Sequence, residues 1–356
     1  MKVPDIPYKI EPGQIIETKT GKRLSFPELV QHLNSARVIY VGETHDNPDH
    51  HAIQLRVIKA FYEKESNISI GLEMLERTNQ EILDRWREGQ LKEEDFLRES
   101  QWAKCWGYDY HLYKPIFNFA RGHGLRLTAL NAPSEIVRKI GKKGIESLTE
   151  EELRLIPPLD TSNEAHRRYV GKYFDEHKDW VRDFDSFYYV QCAWEDTMAE
   201  TIARYLSSPM ASKKMVVLIG NAHIAYHFGV PERAYIRSKL PYKTLMLVEK
   251  RSEIEKKEIA DFIWITERVK REERQKIGLK LREIESGPGL VIEAVEKGSP
   301  AEKSGLRAKD IILKVDDKDI SELIDMHHAF TKDKYKKKYK ILIEREGLKK
   351  KIILKR

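Results

Sequence analysis

Two short segments far apart in the chain share one pattern, an apolar run that ends at glycine with a histidine three residues later. These segments are Val38–His45 and Met215–His223. Apolar runs rich in β-branched residues predict strands that are buried on both faces, as in a parallel sheet. Ligands of open α/β sheets bind at the carboxyl edge of the strands. We therefore expect His45 and His223 to lie at one edge of a single sheet.

Two further apolar runs end in polar side chains. Ile68–Met74 carries Glu73, and Leu125–Asn131 ends in a carboxamide. Buried carboxylates and imidazoles need hydrogen bonds, opposite charges or a metal. Any one of these residues alone could be a structural hydrogen-bonding group, but their shared position at strand ends favours a functional crevice. Its main candidates are Glu43, His45, Glu73 and His223, and its second-tier candidates are His51, Asn131 and Asn221.

The order of the predicted elements indicates an α/β fold. A mostly parallel sheet with flanking helices is interrupted by an all-helical insertion over about 134–209, and a small α+β domain follows. Charge marks the boundary between the α/β domain and the small domain. The residues from Lys276 onward hold 21 Lys and Arg against 14 Asp and Glu, and this difference of +7 equals the formal net charge of the whole chain. We expect a first domain over 1–266, a mixed-charge linker over 267–276 and a second domain over 277–356.

Composition excludes several classes of protein. No run of about eighteen apolar residues is present, so no transmembrane segment is expected. The sequence as written also lacks an apolar amino-terminal signal, which predicts a cytoplasmic location unless a leader has been removed. Cys105 and Cys192 are the two cysteines, too few and too isolated for a disulfide framework or a zinc ribbon. No pattern indicates base readout, so no nucleic-acid partner is expected.

The predicted helical insertion carries a stripe of possible iron ligands. His166, Tyr169 and Tyr173 recur at intervals of three and four residues, which places them on one face of a helix. Such a face could pack on a flat aromatic cofactor with Tyr or His reaching iron. The alternative is that the stripe is the side of the helix that faces the core.

The carboxyl-terminal segment resembles a PDZ domain of the bacterial protease-associated type. The resemblance is carried by Gly289–Val295, Gly298–Ala301, Ser304–Leu306 and Asp310–Val315. It implies a groove in which the carboxyl-terminal strand of a peptide is added to a strand of the domain. The predicted peptide-binding residues are Gly289, Leu290, Val291 and Ile292. An alternative is a PDZ domain used for internal docking or dimer contacts.

Basic clusters in the same segment have two interpretations. Lys332–Lys338 and Lys349–Lys351 could contact anionic lipid, which would give a peripheral membrane contact. They are also typical of a solvated loop and of a strand edge protected from pairing.

The first domain is similar to the ChaN-like haem-binding family of the Tiki/TraB superfamily. The similarity is carried in order by Val41–His51, Gly71–Met74, Leu130–Pro133, Gln191–Met198 and Gly220–His223. For ChaN-like proteins it implies an α/β core with a helical insertion, haem at a homodimer interface and a role in iron acquisition at the cell envelope. The superfamily implies something else, a divalent metal bound by His45, His223, Glu43 and Glu73 for peptide hydrolysis. Two His and one carboxylate suit Zn, Mn or Fe.

Two functions of different kinds follow from these resemblances. The first is a haem-binding or iron-binding protein that uses His166, Tyr169 or Tyr173 as the haem ligand and carries a peptide-binding PDZ module. The alternative is a metal-dependent hydrolase in which His45, His223 and one carboxylate hold the ion and the second carboxylate acts as general base. The expected partners are haem, a protein carboxyl terminus and a second copy of the chain.

Overall fold

The computed structural model describes residues 9–176, 178, 180–250, 257–267, 277–284, 287–331 and 336–355. The chain folds into two compact units, one within Met1–Phe96 and Tyr108–Val269 and the other within Leu97–Gly107 and Lys270–Arg356. Of the predicted linker over 267–276, only Glu267 lies among the described residues, and residues 332–335 of the first basic cluster also lie outside them.

The first unit is built on a sheet of eight strands in the order β2-β1-β8-β7-β3-β6-β4-β5. The strands are β1 (Ile15–Glu17), β2 (Arg23–Leu24), β3 (Val38–Glu43), β4 (Ile68–Glu76), β5 (Arg126–Asn131), β6 (Lys214–Gly220), β7 (Tyr242–Glu249) and β8 (Phe262–Thr266). All pairs from β8 to β5 are parallel, whereas β1 is antiparallel to both β2 and β8. The predicted fold class, a mostly parallel sheet, is confirmed.

Helices connect these strands. Between β2 and β7 they are α1 (Phe26–Leu33), α2 (Pro48–Lys64), α3 (Gln80–Arg87), α4 (Glu93–Glu99), α5 (Trp102–Cys105), α6 (Tyr110–Gly122), α7 (Ser134–Lys143), α8 (Glu150–Leu153), α9 (Glu164–Gly171), α10 (Phe184–Leu206) and α11 (Val230–Ser238). The described residues between β5 and β6 form helices and turns without a strand, as predicted for the insertion. In the part of the chain that the structure describes, no helix is both long and apolar enough to cross a bilayer.

Two helix starts position the site. The Asn47 side chain accepts a hydrogen bond from the backbone N–H of Asp49 and caps α2, which brings His51 to the buried side of the first turn. Asp183 caps α10 in the same way. Helix α10 then packs Met198 and Ile202 into the hydrophobic core formed with β3, β6, β7 and β8. The middle of α10 is thereby held close to the carboxyl edge of the sheet.

The second unit contains a small antiparallel sheet. Its strands are β9 (Leu279–Glu283), β10 (Leu290–Val295), β11 (Ile311–Val315), β12 (Lys318–Asp319), β13 (Lys338–Arg345) and β14 (Leu348–Lys355), and its carboxyl-terminal helices are α12 (Pro300–Lys303) and α13 (Leu323–Thr331). The main path through the sheet is β14-β13-β11-β10-β9, and β12 pairs with β11. Apolar side chains such as Ile292, Ile312 and Ile341 are completely buried and form a core of its own.

Candidate functional site

Three neighbouring strands bring the predicted crevice residues to one edge of the sheet. Strand β6 lies between β3 and β4 and is parallel to both, so the carboxyl ends of the three strands meet. Glu43 ends β3 opposite Gly220, which ends β6. Glu73 lies near the end of β4, and His223 closes a short 3-10 turn that directly follows β6.

Glu43 is a buried carboxylate that binds three side chains. Its Oε1 atom lies 2.9 Å from Nδ1 of His45 and accepts a hydrogen bond of 2.8 Å from the Tyr113 hydroxyl. Its Oε2 atom lies 3.2 Å from Nδ1 of His51. Burial alone would raise the pKa of Glu43, but the hydrogen bonds and positive charges of His45 and His51 outweigh burial and hold the pKa well below its ordinary value. Glu43 is therefore ionised.

His45 is the partner of Glu43 that reaches solvent. Its side chain is 25% exposed, and its ring centroid lies 4.9 Å from that of Tyr108. Burial would lower the pKa of His45, but the hydrogen bond to Glu43 and the charge of Glu73 raise it above the ordinary value. Gly220 leaves space for the ring, because a Cβ atom at position 220 would lie 2.8 Å from Cε1 of His45.

Glu73 connects this group with His223. One of its carboxylate oxygens accepts a hydrogen bond from the backbone N–H of Gly220, and the other lies 3.4 Å from Nε2 of His223. Burial would raise the pKa of Glu73, but the charge and hydrogen bond of His223 lower it. The Glu73 carboxylate thus contacts the backbone of β6 at Gly220 and the turn that follows β6 at His223.

His223 lies between two carboxylates. Its Nδ1 atom is 3.1 Å from Oε1 of Glu195, on the side of the ring opposite to Glu73. Burial would lower the pKa of His223, but Glu73 and Glu195 together raise it to about 10. The imidazole is therefore a buried cation at neutral pH.

Glu195 extends the network into the helical insertion. Its Oε2 atom lies 3.2 Å from Nε2 of His166 and 3.4 Å from Nε of Arg233. Arg233 also contacts Asp196, which in turn binds Arg237. Burial would raise the pKa of Glu195, but the charge and hydrogen bond of His166, together with His223 and Arg233, hold it well below its ordinary value.

The side chains of the second-tier candidates contact backbone carbonyl groups at this edge of the sheet. Nε2 of His51 lies 3.0 Å from the carbonyl oxygen of His45. The Asn131 amide donates a hydrogen bond of 3.0 Å to the carbonyl of Glu73, and the Asn221 amide donates one of 2.7 Å to the carbonyl of Leu247. These three side chains position the crevice.

The carboxylates and imidazoles of the edge contact one another directly. Within the described ranges, no group of three or more His, Cys, Asp or Glu side chains is arranged to hold a metal ion. The predicted metal set of His45, His223, Glu43 and Glu73 therefore has no support from this arrangement. The pair of a partly exposed His45 and a buried, ionised Glu43 can hold and exchange a proton.

The predicted haem ligands occupy two different environments. His166 is 1% exposed and is enclosed by Glu195, Tyr188 and Arg233, so its ring nitrogens face protein groups. Tyr173 is 38% exposed. The hydroxyls of Tyr169 and Tyr173 lie 3.2 Å apart.

Tyr226 completes an aromatic surface with these two tyrosines, and we use that term for Tyr169, Tyr173 and Tyr226. The Tyr226 ring meets that of Tyr169 edge to face at 5.4 Å. Tyr226 and the following His227 both adopt left-handed backbone conformations, with φ of 55° and 65°. Residues with a side chain rarely adopt this region, at a cost of about 1–2 kcal/mol each. The strained turn presents Tyr226 to Tyr169.

The family of the chain can be decided from its sequence. A model described as "Haem-binding uptake, Tiki superfamily, ChaN" matches residues 29–234, which is more than half of the chain. The chain belongs to this family. A second model, for the PDZ domain, matches residues 275–355. Both resemblances inferred from motifs are thereby confirmed.

The chain is also similar in sequence or fold to individual known proteins. The solved structure of ChaN of Campylobacter jejuni is 22% identical with a TM-score of 0.58, and the match covers 72% of this chain and 97% of that one. The protein RETICULATA-RELATED 5, chloroplastic, of Arabidopsis thaliana is 24% identical over 256 residues, 65% of this chain and 34% of the relative. The chain thus spans about a third of that relative. The HtrA3 PDZ domain, 17% identical with a TM-score of 0.20, matches 22% of this chain and 82% of that one.

The PDZ unit of this ChaN-family protein requires one correction. Gly289–Ile292 was the predicted site of strand addition, but β10 pairs with β9 on one side and with β11 on the other. A strand with two neighbours has no free edge for a peptide. Among the described strands, β9 pairs with β10 alone and is the edge strand on this side of the sheet.

Sequence patterns did not single out several residues that the structure places in this network or on the aromatic surface. Glu195 and Arg233 are the most important, and Tyr108, Tyr113 and Tyr226 are the others. A charged residue within a helix as buried as α10 was the available signal for Glu195. No local pattern indicated that Tyr113 of α6 would reach Glu43.

Proposed function

We propose that this ChaN-family protein binds haem on the aromatic surface and uses Tyr173 as the iron ligand, in haem handling or iron acquisition. The observation that carries the proposal is the position of the Tyr173 phenol, which is 38% exposed beside the hydroxyl of Tyr169. Tyrosine is an established ligand of haem iron. The residues present therefore fit the cofactor that the family description names.

The environments of the three candidate ligands favour Tyr173. His166 is engaged with Glu195 and would leave that carboxylate with one partner fewer if it turned outward. Burial raises the pKa of Tyr169 far above its ordinary value, which disfavours the phenolate that binds ferric iron. Tyr173 is the exposed phenol of the stripe. Tyr169 can donate a hydrogen bond to it and so stabilise its anionic form.

Basic side chains accompany the tyrosines. Arg168 and Lys172 precede Tyr169 and Tyr173 by one position each and are exposed. They therefore follow the same four-residue spacing along the helix and its carboxyl-terminal cap. Haem carries two propionate groups, which pair with basic side chains of this kind. Positive charge is therefore available next to the tyrosines along the chain.

A homodimer is part of this proposal. Haem bound beside the exposed Tyr173 would keep one apolar face in water, and a second copy of the chain would cover that face. The structure of Campylobacter jejuni ChaN is described as showing cofacial heme binding, which supports a pair of haems between two copies.

Titration with haemin tests the proposal. We expect the protein to develop a Soret band, and Tyr173→Phe to weaken binding by more than roughly tenfold, which is about 1.4 kcal/mol. Tyr169→Phe should have a smaller effect, since it removes a hydrogen bond and not the ligand. The matched control is Tyr62→Phe, whose ring packs against Phe119 and His123. An unchanged spectrum on adding haemin, or equal affinity of Tyr173→Phe and wild type, would reject the proposal.

Size-exclusion chromatography with light scattering tests for the dimer.

We also propose that the PDZ unit binds the carboxyl terminus of a protein along the free edge of β9. Leu279 and Leu281 of this strand pack on the core while Lys280 and Arg282 alternate with them on the other face. A peptide strand added to β9 would form main-chain hydrogen bonds with it and place alternate side chains on the two faces.

Hydrogen exchange of the full chain locates this edge. We expect a peptide with a free, apolar carboxyl terminus to slow amide exchange in Leu279–Glu283 and to leave the edge strand Leu348–Lys355 unchanged. The same peptide with an amidated terminus is the control and should give little protection. Protection of Leu348–Lys355 instead of Leu279–Glu283 would contradict the assignment.

A further inference from the structure

The outer face of the β13–β14 hairpin is strongly basic. Tyr339, Ile341 and Ile343 of β13 are buried in the core, so the alternate residues of this strand point to the opposite face. The pairing register places residues of β14 beside them on that face. We use the term basic face for its five lysines and its exposed isoleucine, Lys338, Lys340, Lys349, Lys351, Lys355 and Ile353.

Glu344 lies on the same face opposite Lys349 in the register, but the other four lysines have no acidic residue opposite them. Among the described residues, none of these five lysines takes part in an ion pair, in contrast to Lys336, which contacts Asp316 at 2.9 Å. Lys338 lies directly opposite Lys355 in the register. Like charges in directly opposed positions destabilise an antiparallel pair. An anionic partner would remove this repulsion.

Protection of a strand edge does not account for the whole pattern. Lysines on an edge strand prevent pairing with other chains, and β14 is an edge strand. Strand β13, however, pairs with β14 over its whole length and with β11 over Ile341–Glu344, and the backbone of Lys340 is hydrogen-bonded to Asp316. Protection of an edge therefore does not explain Lys340, and its position on the same face as Lys338 and Lys351 indicates a binding surface.

Apolar side chains distinguish between anionic partners. Ile353 is 47% exposed in the middle of the basic face, and Leu348 at the start of β14 is 64% exposed. Lysine ammonium groups act as point charges towards phosphates, whereas arginine and aromatic residues dominate in nucleic-acid recognition. A flat face of lysines around an exposed isoleucine matches a lipid surface, where charges meet headgroups and apolar groups enter the interface.

We propose that the basic face docks on the surface of a bilayer that contains anionic phospholipid. Lys338, Lys340 and Lys351 contact the headgroups, and Ile353 enters the interfacial layer. This proposal is independent of haem binding, because it concerns residues of the PDZ unit alone.

Co-sedimentation of the full chain with vesicles tests the proposal. We expect binding to vesicles of equimolar phosphatidylcholine and phosphatidylserine, with little binding to phosphatidylcholine alone and loss of binding at high salt. Each lysine near an anionic surface is worth roughly a fivefold change in partitioning. The triple variant Lys338→Gln, Lys340→Gln and Lys351→Gln should therefore bind roughly a hundredfold more weakly.

Two further variants separate the alternatives. The control triple variant Lys19→Gln, Lys59→Gln and Lys142→Gln removes the same charge from exposed positions of the first unit and should bind as wild type does. Ile353→Ser should weaken vesicle binding without a change of charge. Failure of wild type to bind the anionic vesicles, or equal losses in the two triple variants, would overturn the proposal. Tighter binding of a DNA duplex through the same lysines would also overturn it, in favour of nucleic acid.

Discussion

The Glu195→Gln variant is expected to lose about 3–5 kcal/mol of its free energy of unfolding. Glu195 is 1% exposed and contacts three cationic or potentially cationic side chains, His223, His166 and Arg233. A neutral amide leaves these groups buried with less negative charge around them. Removing one partner of a buried ion pair is far more costly than removing one on the surface, because the remaining charge stays desolvated.

Urea denaturation followed by circular dichroism measures this loss. The matched control is Glu200→Gln on the same helix, whose carboxylate contacts Arg77 at 2.7 Å and is 28% exposed. A partly solvated pair of this kind is worth about 0–1 kcal/mol. A loss of less than about 1 kcal/mol in Glu195→Gln would show that the network does not stabilise the fold as inferred.

The free energy of unfolding is also expected to fall as the pH rises from about 6.5 towards 10. The pKa of His223 is raised from 6.5 to about 10 in the folded protein. Between these values folded His223 keeps a proton that the unfolded chain has lost. The stabilisation is therefore complete below pH 6.5 and declines by up to about 1.4 kcal/mol per pH unit above it. His45 and His51, whose pKa values are also raised, act in the same direction.

The carboxylates of the network give the opposite dependence at acid pH. The pKa values of Glu43, Glu73 and Glu195 are lowered from 4.5, so their stabilisation is complete above that pH and is lost as the pH falls below it. Stability should be greatest between about pH 4.5 and 6.5. Denaturation curves from pH 3 to 10 test this, and His223→Gln should have a shallower alkaline slope than wild type or Glu200→Gln. Equal slopes in wild type and His223→Gln would contradict the assignment.

The sequence was sufficient to predict which strands carry the crevice residues. Buried strands that end in Gly-x-x-His predict both a parallel sheet and the edge at which His45 and His223 lie. The reason is that the carboxyl ends of parallel strands all lie at the same edge of the sheet. The order of the strands within each sheet could not be predicted from these local patterns. Whether β9 or β10 has a free edge depends on pairing between distant residues, and the local pattern of Gly289–Ile292 contains no information on it.

The connection between the sheet and the insertion was the second part that the sequence did not reveal. Helix α10 buries residues on most of its circumference, so the period of its apolar residues did not separate a buried Glu195 from a solvated one. The spacing of His166 and Tyr173 predicted that both lie on one helix, but α9 ends at Gly171 and Tyr173 follows its cap. The spacing also did not determine which of the two faces the core. Tertiary contacts with Arg233 and Tyr188 decide this.

The backbone of Gly220–His223 has a consequence for how the crevice responds to disturbance. The amide at the start of this short turn is bound to Glu73, and the imidazole at its end is bound to both Glu73 and Glu195. A displacement of the turn must break all of these contacts at once. The crevice is therefore expected to open cooperatively, as a unit that couples the central strands to α10, and not by independent motions of single side chains.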